Sequence, residues 1–222
     1  MKPVAVAIMA KAPRAGEVKT RLCPPLSPTD AAALYHRFLL DKIEQVRSLT
    51  TASPAIAYTP GEGRTFFEAV APGFLLVSQR GANLGDRLAN SLTDCLDQGH
   101  RGALAIDSDT PTLPVRFLHQ ALDLIMTPTI DVVLGPTEDG GYYLIGLRTV
   151  HRDLFEAMPW STRHVLPETI RRAYAMRLRV ACLPPWYDID TSDDLARLLA
   201  ELKTTPGNTP QHTRRFLLEP RR

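Results

Sequence analysis

Apolar stretches of strand length recur along the chain, and most are separated by segments with helical periodicity. The strand-like stretches are residues 4–10, 55–58, 74–77, 103–106, 132–134, 142–147 and 180–183. Strands that alternate with helices predict a mostly parallel central sheet with helices on both faces. In such an α/β fold, ligands bind beyond the carboxyl ends of the strands, so functional residues should directly follow the strands.

Four segments place apolar residues on one helical face. Residues 31–46 do so most clearly, and Ser27 and Pro28 ahead of them supply an N-cap and a proline at the first helical position. The other three segments are residues 84–96, 117–125 and 195–202, in which large apolar residues recur every three or four positions.

The composition is that of an ordinary soluble globular protein, because 44% of the 222 residues are hydrophobic and 23% are charged. The 26 basic and 24 acidic residues leave a formal charge of +2, which argues against nucleic acid as an obligatory partner. No apolar run approaches the roughly 20 residues that span a bilayer. Three cysteines without a CxxC pair favour neither a disulfide framework nor a zinc site, so we expect a cytoplasmic protein.

One domain is expected over residues 1–203. From residue 204 onwards the chain is polar and contains three prolines and a glycine. It offers only the short apolar run 216–218 for docking, so residues 204–222 are expected to form a loosely attached tail.

The stretch 103–114 carries the strongest chemical signal, because an apolar strand runs directly into Asp107 and Asp109. Carboxylates at the end of a strand can hold Mg²⁺ or Mn²⁺, which prefer hard oxygen ligands. An Asp-Ser-Asp-Thr turn that caps the next helix would use the same residues without a metal. The local spacing leaves both interpretations open.

A second acidic cluster precedes the last predicted helix. Thr191 and Asp194 have the spacing of a capping box, so that helix can be capped without Asp188 or Asp190. These two aspartates either complement the positive helix terminus or complete a metal site with Asp109.

Two further loops follow predicted strands and suit a nucleotide. The first holds Lys11, Arg14, Lys19 and Arg21 within eleven residues and could neutralise phosphates, although charged loops are usually only solvated. It is neither a Walker A loop nor a GxGxxG fingerprint. In the second, 80–87, Gly81 and Asn83 would suit base or ribose contacts, or else form a glycine turn with an Asn83 cap.

The segment GPTEDGGYY, residues 135–143, brings two acids and two glycines between two strands. Glu138 or Asp139 could hold a sugar hydroxyl or act as a general base, while Gly140 and Gly141 would let a ligand approach the backbone. Asp-Gly is also an ordinary turn signal, and that explanation could be sufficient.

Taken in order, the motifs IMAKAPRAGEVKTRL, RGANLGDRL, IDSDTPTLP, GPTEDGGYYLIGL, PWST and PPWYDIDTSDDL resemble a family of small bacterial GT-A-like proteins. That family includes uncharacterised members and arsenosugar-biosynthesis-type glycosyltransferases of the nucleotide-diphospho-sugar transferase superfamily. The resemblance covers residues 3–202. It implies a Rossmann-like GT-A fold with a metal site in which Asp109 is the first ligand and Asp190 the second. Asp188, two residues before Asp190, could share that role or hold Asp190 in place.

The resemblance favours a metal-dependent glycosyltransferase that uses a nucleotide-diphospho-sugar and a small-molecule acceptor. Nucleotidyl transfer from an NTP, as in guanylyltransferases, is the alternative enzyme class. It takes second place because AKAPRAGEVKTR replaces the glycine-rich first loop of those enzymes. A non-catalytic nucleotide-binding protein would share every binding feature, and the motifs leave the oligomeric state open.

Overall fold

A seven-stranded sheet forms the centre of the protein in a computed structural model that describes residues 2–204 and 210–219. The strands are β1 Val4–Lys11, β2 Ala52–Thr59, β3 Leu75–Ser78, β4 Ala103–Ile106, β5 Val132–Pro136, β6 Tyr142–Leu147 and β7 Val180–Cys182. Their order is β3-β2-β1-β4-β6-β5-β7, and only β6 runs antiparallel to its neighbours. The predicted mostly parallel sheet is confirmed.

Helices cover both faces of this sheet, as the sequence predicts. They are α1 Pro28–Arg47, α2 Arg64–Val70, α3 Leu84–Asp97, α4 Val115–Met126, α5 Val165–Ala175, α6 Ser192–Thr204 and α7 Gln211–Leu218. Alternate residues of β1 divide the core, with Val6 in the cluster of α1, α2 and α4 and Ala7 in the cluster of α3 and α5.

The start of α1 follows the predicted signals. The Ser27 hydroxyl accepts a hydrogen bond from the Asp30 amide at 3.0 Å, and Pro28 occupies the first turn. Leu34 and Phe38 of α1 pack in a third apolar cluster that includes residues of α6 and is contacted by Phe216 of α7. This cluster holds the C-terminal helices against the domain.

The expectation of a loosely attached tail is corrected for residues 211–218, which form α7. Asp41 of α1 accepts a hydrogen bond from the Thr213 amide at 2.8 Å, and Thr213 is fully buried. A buried polar contact and the apolar run Phe216 to Leu218 therefore fix this helix on α1. Residues 205–209 and 220–222 of the predicted tail lie outside the described residues.

One edge of the sheet gathers the loops that the sequence singles out. The strands β1, β3, β4, β5 and β7 end there, and the antiparallel strand β6 begins there. The amide of Asp107 extends the sheet at this edge by donating to the Tyr143 carbonyl at 2.9 Å. No helix within residues 2–204 and 210–219 is long and apolar enough to cross a membrane.

Candidate functional site at the carboxyl edge of the sheet

A cleft of about 430 Å³ opens at this edge of the sheet. It is lined by the loop after β1, the start of α3, the loop after β4 and the start of β6. Six of the predicted site residues line it: Lys11, Lys19, Arg21, Asp107, Asp109 and Asp190. The fold therefore brings the cationic first loop and the two acidic loops to one place.

Lys19 joins the two acidic loops. Its ammonium lies 2.9 Å from an Asp109 carboxylate oxygen and 2.8 Å from an Asp190 oxygen, and its side chain is only 5% exposed. Burial lowers the pKa of this lysine, but the two carboxylates raise it further, so the pKa lies above its ordinary value. Lys19 is therefore charged across the physiological pH range.

The loop after β4 is supported from beneath by Lys42 of α1. The Lys42 ammonium donates to the carbonyl and hydroxyl oxygens of Thr110 at 2.9 and 3.0 Å and lies 3.9 Å from Asp107. The Thr110 hydroxyl in turn donates to Asp107 at 2.6 Å. Burial raises the pKa of Asp107 to about 6, an effect that the Lys42 charge opposes.

Tyr35 links the end of β1 to the loop after β4. Its hydroxyl lies 2.9 Å from the Ser108 hydroxyl and accepts the Lys11 amide at 3.0 Å. Burial and the nearby Asp109 charge raise the pKa of Tyr35 to about 12. The phenol is therefore neutral and holds the end of β1 and the loop after β4 together.

Asp188 and Asp190 have opposite electrostatic environments although they are two residues apart. Burial opposes ionisation of Asp190, but Lys19 outweighs it and the pKa of Asp190 lies below its ordinary value. Burial and the charges of Asp190 and Asp139 raise the pKa of Asp188 to about 7. Asp188 is therefore partly protonated near neutral pH, whereas Asp190 is ionised.

The predicted capping box at α6 is confirmed. Asp194 accepts hydrogen bonds from the Thr191 amide at 2.7 Å and the Asp190 amide at 3.1 Å, while the Thr191 hydroxyl accepts the Asp194 amide at 3.3 Å. The Asp190 carboxylate takes no part in this cap and points to Lys19 and Arg21, at 2.8 and 3.2 Å.

The turn between β5 and β6 places its two acids differently. Glu138 accepts two hydrogen bonds from Arg197, at 2.6 and 3.1 Å, and this contact lowers its pKa. Asp139 accepts hydrogen bonds from the Thr137 hydroxyl and the Gly141 amide, at 2.5 and 2.9 Å, and closes the turn. Neither acid lines the cleft, but Asp139 lies close enough to Asp188 to raise its pKa.

Packing accounts for one glycine in this turn. Gly140 has a φ of +94°, and a Cβ there would lie 2.4 Å from the Arg163 carbonyl oxygen. The neighbouring Gly141 has the Thr137 hydroxyl at 3.0 Å from such a Cβ. The proposal that these glycines allow a ligand to approach remains a prediction.

Three other predicted ligand contacts lie outside the cleft lining. Arg14 donates to Glu62 at 3.1 Å on the surface. Asn83 caps α3 by accepting the Asp86 amide at 3.0 Å, as the turn interpretation predicts. Gly81 has a φ of +132°, and a Cβ there would lie 2.1 Å from the Asp86 Cβ. Both residues of this loop therefore have a structural role, and ligand contacts by them remain predictions.

The polar residues of the cleft that sequence reasoning did not select include Gln79 and Arg87. Gln79 directly follows β3, and its side-chain amide donates to the Ala57 carbonyl at 2.7 Å. Its position immediately after a strand was the available signal. The apolar wall, which includes Leu84, Leu88 and Tyr142, could not be distinguished by sequence from residues of the core.

The cleft offers two partly exposed carboxylates of the kind that a hard divalent cation binds. Asp109 and Asp190 keep side-chain exposures of 35% and 37%, whereas Asp188 does not line the cleft. In the part of the chain that the structure describes, these three aspartates do not bring their ligand atoms within 4.8 Å of one another. Lys19 is the cation that two of these carboxylates share in this structure.

A second group of possible ligands has another explanation. Among residues 2–204 and 210–219, one group of three histidine, cysteine or carboxylate side chains has its ligand atoms within 4.8 Å of one another. It consists of Asp41, Glu44 and His212. Asp41 already accepts the amides of His212 and Thr213, and Glu44 lies 2.8 Å from the His212 ring. These contacts dock α7 on α1 without a metal.

The strand order and the cleft at the carboxyl edge define an α/β protein with the fold of the nucleotide-diphospho-sugar transferases. The chain belongs to the family described as "Uncharacterized protein conserved in bacteria (DUF2064)", whose model matches residues 42–162. Among curated proteins, no match is found.

A protein from Desulfovibrio desulfuricans G20, proposed to be a nucleotide-diphospho-sugar transferase, is 31% identical with a TM-score of 0.89. The match covers 98% of this chain and 94% of that chain. Family membership and fold therefore agree with the resemblance of the sequence motifs.

Two more distant structures share the fold alone. One is CMP:2-keto-3-deoxy-manno-octonic acid synthetase complexed with CTP, at 14% identity, a TM-score of 0.59 and coverage of 91% of this chain and 99% of that one. The other is Rv0371c from Mycobacterium tuberculosis H37Rv in complex with manganese, at 20% identity, a TM-score of 0.51 and coverage of 90% and 98%.

Proposed function

We propose that this protein is a metal-dependent glycosyltransferase that uses a nucleotide-diphospho-sugar donor and a small-molecule acceptor in the cytoplasm. The observation that carries the proposal is the buried Lys19 ammonium, held at 2.9 and 2.8 Å from Asp109 and Asp190 inside the cleft. A diphosphate needs a cation such as this ammonium, and a divalent metal needs carboxylates such as these two. The cleft places both beside each other. The relative from Desulfovibrio desulfuricans G20 supports the same class of donor.

In this proposal Asp109, Asp188 and Asp190 would hold Mg²⁺ or Mn²⁺, which when bound would neutralise the departing nucleotide diphosphate. Lys19 and Arg21 bind the phosphate oxygens from the loop after β1. The apolar wall of the cleft, with Leu84 and Leu88, excludes water from one side of the donor.

Asp139 is the better candidate for the base that takes the proton of the acceptor hydroxyl. The pKa of Glu138 is lowered because Arg197 donates two hydrogen bonds to it, which makes this carboxylate a weaker base. Asp139 has one carboxylate oxygen, Oδ1, engaged in the turn, and its charge contributes to the raised pKa of Asp188.

Nucleotidyl transfer is the second candidate, in which an NTP would lie in the same cleft and release pyrophosphate. The observation in its favour is that the synthetase complexed with CTP shares the fold over 91% of this chain. The cations and carboxylates of the cleft would serve that reaction equally well, so the products distinguish the two.

The test begins with thermal shifts for a panel of nucleotide-diphospho-sugars and NTPs, with and without Mn²⁺, because a ligand stabilises the folded state by mass action. The best ligand is then followed for products. Release of nucleotide diphosphate supports the glycosyltransferase, and release of pyrophosphate from an NTP supports the alternative. Stabilisation by a nucleotide without any turnover would contradict both and indicate a nucleotide-binding protein.

A further inference from the structure

Lys19 occupies the place between two carboxylates where a divalent metal is proposed to bind. We propose that Lys19 is the resident counter-ion of the Asp109–Asp190 pair and competes with the divalent metal for these carboxylates. The inference rests on the proposed function. It adds that the Lys19 ammonium regulates binding of the divalent metal to this site.

The competition follows from distance and charge. The ammonium lies 2.9 Å from an Asp109 oxygen and 2.8 Å from an Asp190 oxygen, whereas Mg²⁺ binds oxygens at about 2.0–2.1 Å. Two cations cannot occupy the same space between two oxygens, and at such separations they repel each other strongly in a partly desolvated site. The metal therefore binds between these carboxylates only when the ammonium has moved away.

The chain holds Lys19 in this position by its backbone as well as by charge. Lys19 has a φ of 49° and a ψ of 36°, a left-handed conformation that is uncommon for residues other than glycine. It immediately precedes the 3₁₀ helix Thr20–Leu22, and the buried side chains of Val18 and Leu22 anchor the loop on either side. The ammonium is thus directed at the carboxylates and is not free in solvent.

A nucleotide diphosphate offers the ammonium an alternative partner. Lys19 lines the cleft, so phosphate oxygens bound there can accept its hydrogen bonds in place of the carboxylates. The metal and the nucleotide should therefore bind cooperatively, because the nucleotide removes the competitor of the metal. By linkage the metal must raise the affinity for the nucleotide by the same factor.

The test measures Mn²⁺ binding to the full chain by electron paramagnetic resonance, first without nucleotide. Lys19→Met removes the competing charge, Lys19→Arg keeps a cation, and Lys203→Met is a matched control that removes one exposed lysine at the end of α6. Circular dichroism confirms that each variant is folded. The same titrations are then repeated with UDP and GDP at saturating concentration.

Lys19→Met should bind Mn²⁺ more tightly than the wild type without nucleotide, by about fivefold or more, which is the lower range of measured couplings. Lys19→Arg and Lys203→Met should stay near the wild-type value. Nucleoside diphosphate should tighten Mn²⁺ binding by a larger factor in the wild type than in Lys19→Met, because only the wild type has a competing ammonium for the nucleotide to remove. Unchanged or weaker Mn²⁺ binding by folded Lys19→Met would overturn the competition.

The failure of this inference is distinguishable from the failure of the proposed function. If Lys19→Met gains no Mn²⁺ affinity while the wild type transfers sugar with Mn²⁺, the competition is overturned and the proposed function survives. If Lys19→Met gains affinity but no nucleotide-diphospho-sugar is turned over by the wild type, the competition stands and the proposed function fails.

Discussion

The carboxylate of Asp41, in α1, caps the N-terminus of α7 by accepting the amide of Thr213 at 2.8 Å. The same carboxylate accepts the His212 amide at 2.9 Å and the Thr213 hydroxyl at 2.6 Å. Three donors converge on a side chain that is only 7% exposed, so hydrogen bonds offset part of the cost of burying this carboxylate, although burial still raises its pKa.

Asp41→Ala should therefore destabilise the protein by about 1–3 kcal/mol, because it leaves buried donors at the start of α7 without acceptors. Urea unfolding would measure this, and protease cleavage within residues 211–218 should become faster. Glu44→Gln is the matched control, since Glu44 is exposed and its ion pair with His212 is worth at most about 1 kcal/mol. Equal losses for the two variants would contradict a special role of Asp41.

The sheet could be predicted from the sequence almost completely. Each apolar run corresponds to a strand, and the runs 103–106 and 142–147 match β4 and β6 residue for residue. Buried strands require continuous apolar side chains, so their signal is strong. The antiparallel direction of β6 was not predicted, because direction depends on how strands pair and not on side-chain pattern.

Within residues 2–204 and 210–219, two of the three helices that the sequence did not predict, α5 and α7, have weak apolar faces. The buried residues of α5 are Val165, Thr169 and Ala173, which have the spacing of a helix face but little hydrophobicity. In α7 the fully buried residue is Thr213, and this helix depends on Asp41, which is distant in sequence. Tertiary contacts of this kind cannot be read from a local pattern.

The candidate site was predictable in its acids and cations but not in their pairing. Asp109, Asp190 and Lys19 were each indicated by their position after a strand or beside a capping box. Lys19 reaches Asp190 across 171 positions of the chain, and Lys42 reaches Thr110 in the loop of Asp107 across 68. Such pairings depend on the folded structure and have no local sequence signal.

Asp109→Asn should abolish Mn²⁺-dependent nucleotide binding while the protein remains folded, because it removes the proposed first metal ligand. The change also takes one of two carboxylates from the buried Lys19, so a loss of about 1–3 kcal/mol in stability is expected. Calorimetry with and without Mn²⁺ measures binding. Undiminished Mn²⁺-dependent binding in the folded variant would show that Asp109 is not a ligand.

Arg21→Gln should weaken binding of a nucleotide diphosphate more than that of the matching nucleoside, because the exposed guanidinium is proposed to contact phosphate. A loss of about tenfold for the diphosphate corresponds to one charge-assisted hydrogen bond of about 1.4 kcal/mol. Arg14→Gln, in the same loop but paired with Glu62, is the control. Equal losses for both ligands would indicate a base contact or a disturbed loop.

The free energy of unfolding should fall less in Asp188→Asn than in the wild type as the pH rises from about 4 to about 7. An unperturbed aspartate has a pKa of about 3.9, whereas the pKa of Asp188 is raised to about 7 in the folded protein. Between these values the folded state keeps a proton that the unfolded chain has released, so this carboxyl lowers stability as the pH rises from about 4 to about 7.

The asparagine variant has no such proton, so its unfolding free energy should fall less over the same window. Urea titrations near both ends of the window measure the difference from the wild type. Asp97→Asn provides a control at an aspartate whose position is distant from the acidic cluster, at the end of α3. An identical pH slope for Asp188→Asn and the wild type would show that Asp188 is ionised over this range.

The last prediction separates Asp190 from Asp194, which lie four residues apart and perform different tasks. Asp194 accepts the amides of Asp190 and Thr191, at 3.1 and 2.7 Å, and so belongs to the cap of α6. Asp190 directs its carboxylate to Lys19 and Arg21, at 2.8 and 3.2 Å, where the phosphates and the metal are proposed to bind. One residue therefore serves the helix and the other serves the cleft.

Asp194→Asn should cost mainly stability, on the order of 1 kcal/mol for a weakened cap, and should leave the Mn²⁺ requirement of the wild type unchanged. Asp190→Asn should raise the Mn²⁺ concentration needed for half-maximal activity and lower activity strongly, since a proposed metal ligand loses its charge. Both variants are compared by urea unfolding and by activity as a function of Mn²⁺ concentration. The assignment would be reversed if Asp194→Asn changed the Mn²⁺ requirement and Asp190→Asn changed only the stability, because the cap and the cleft would then have exchanged roles.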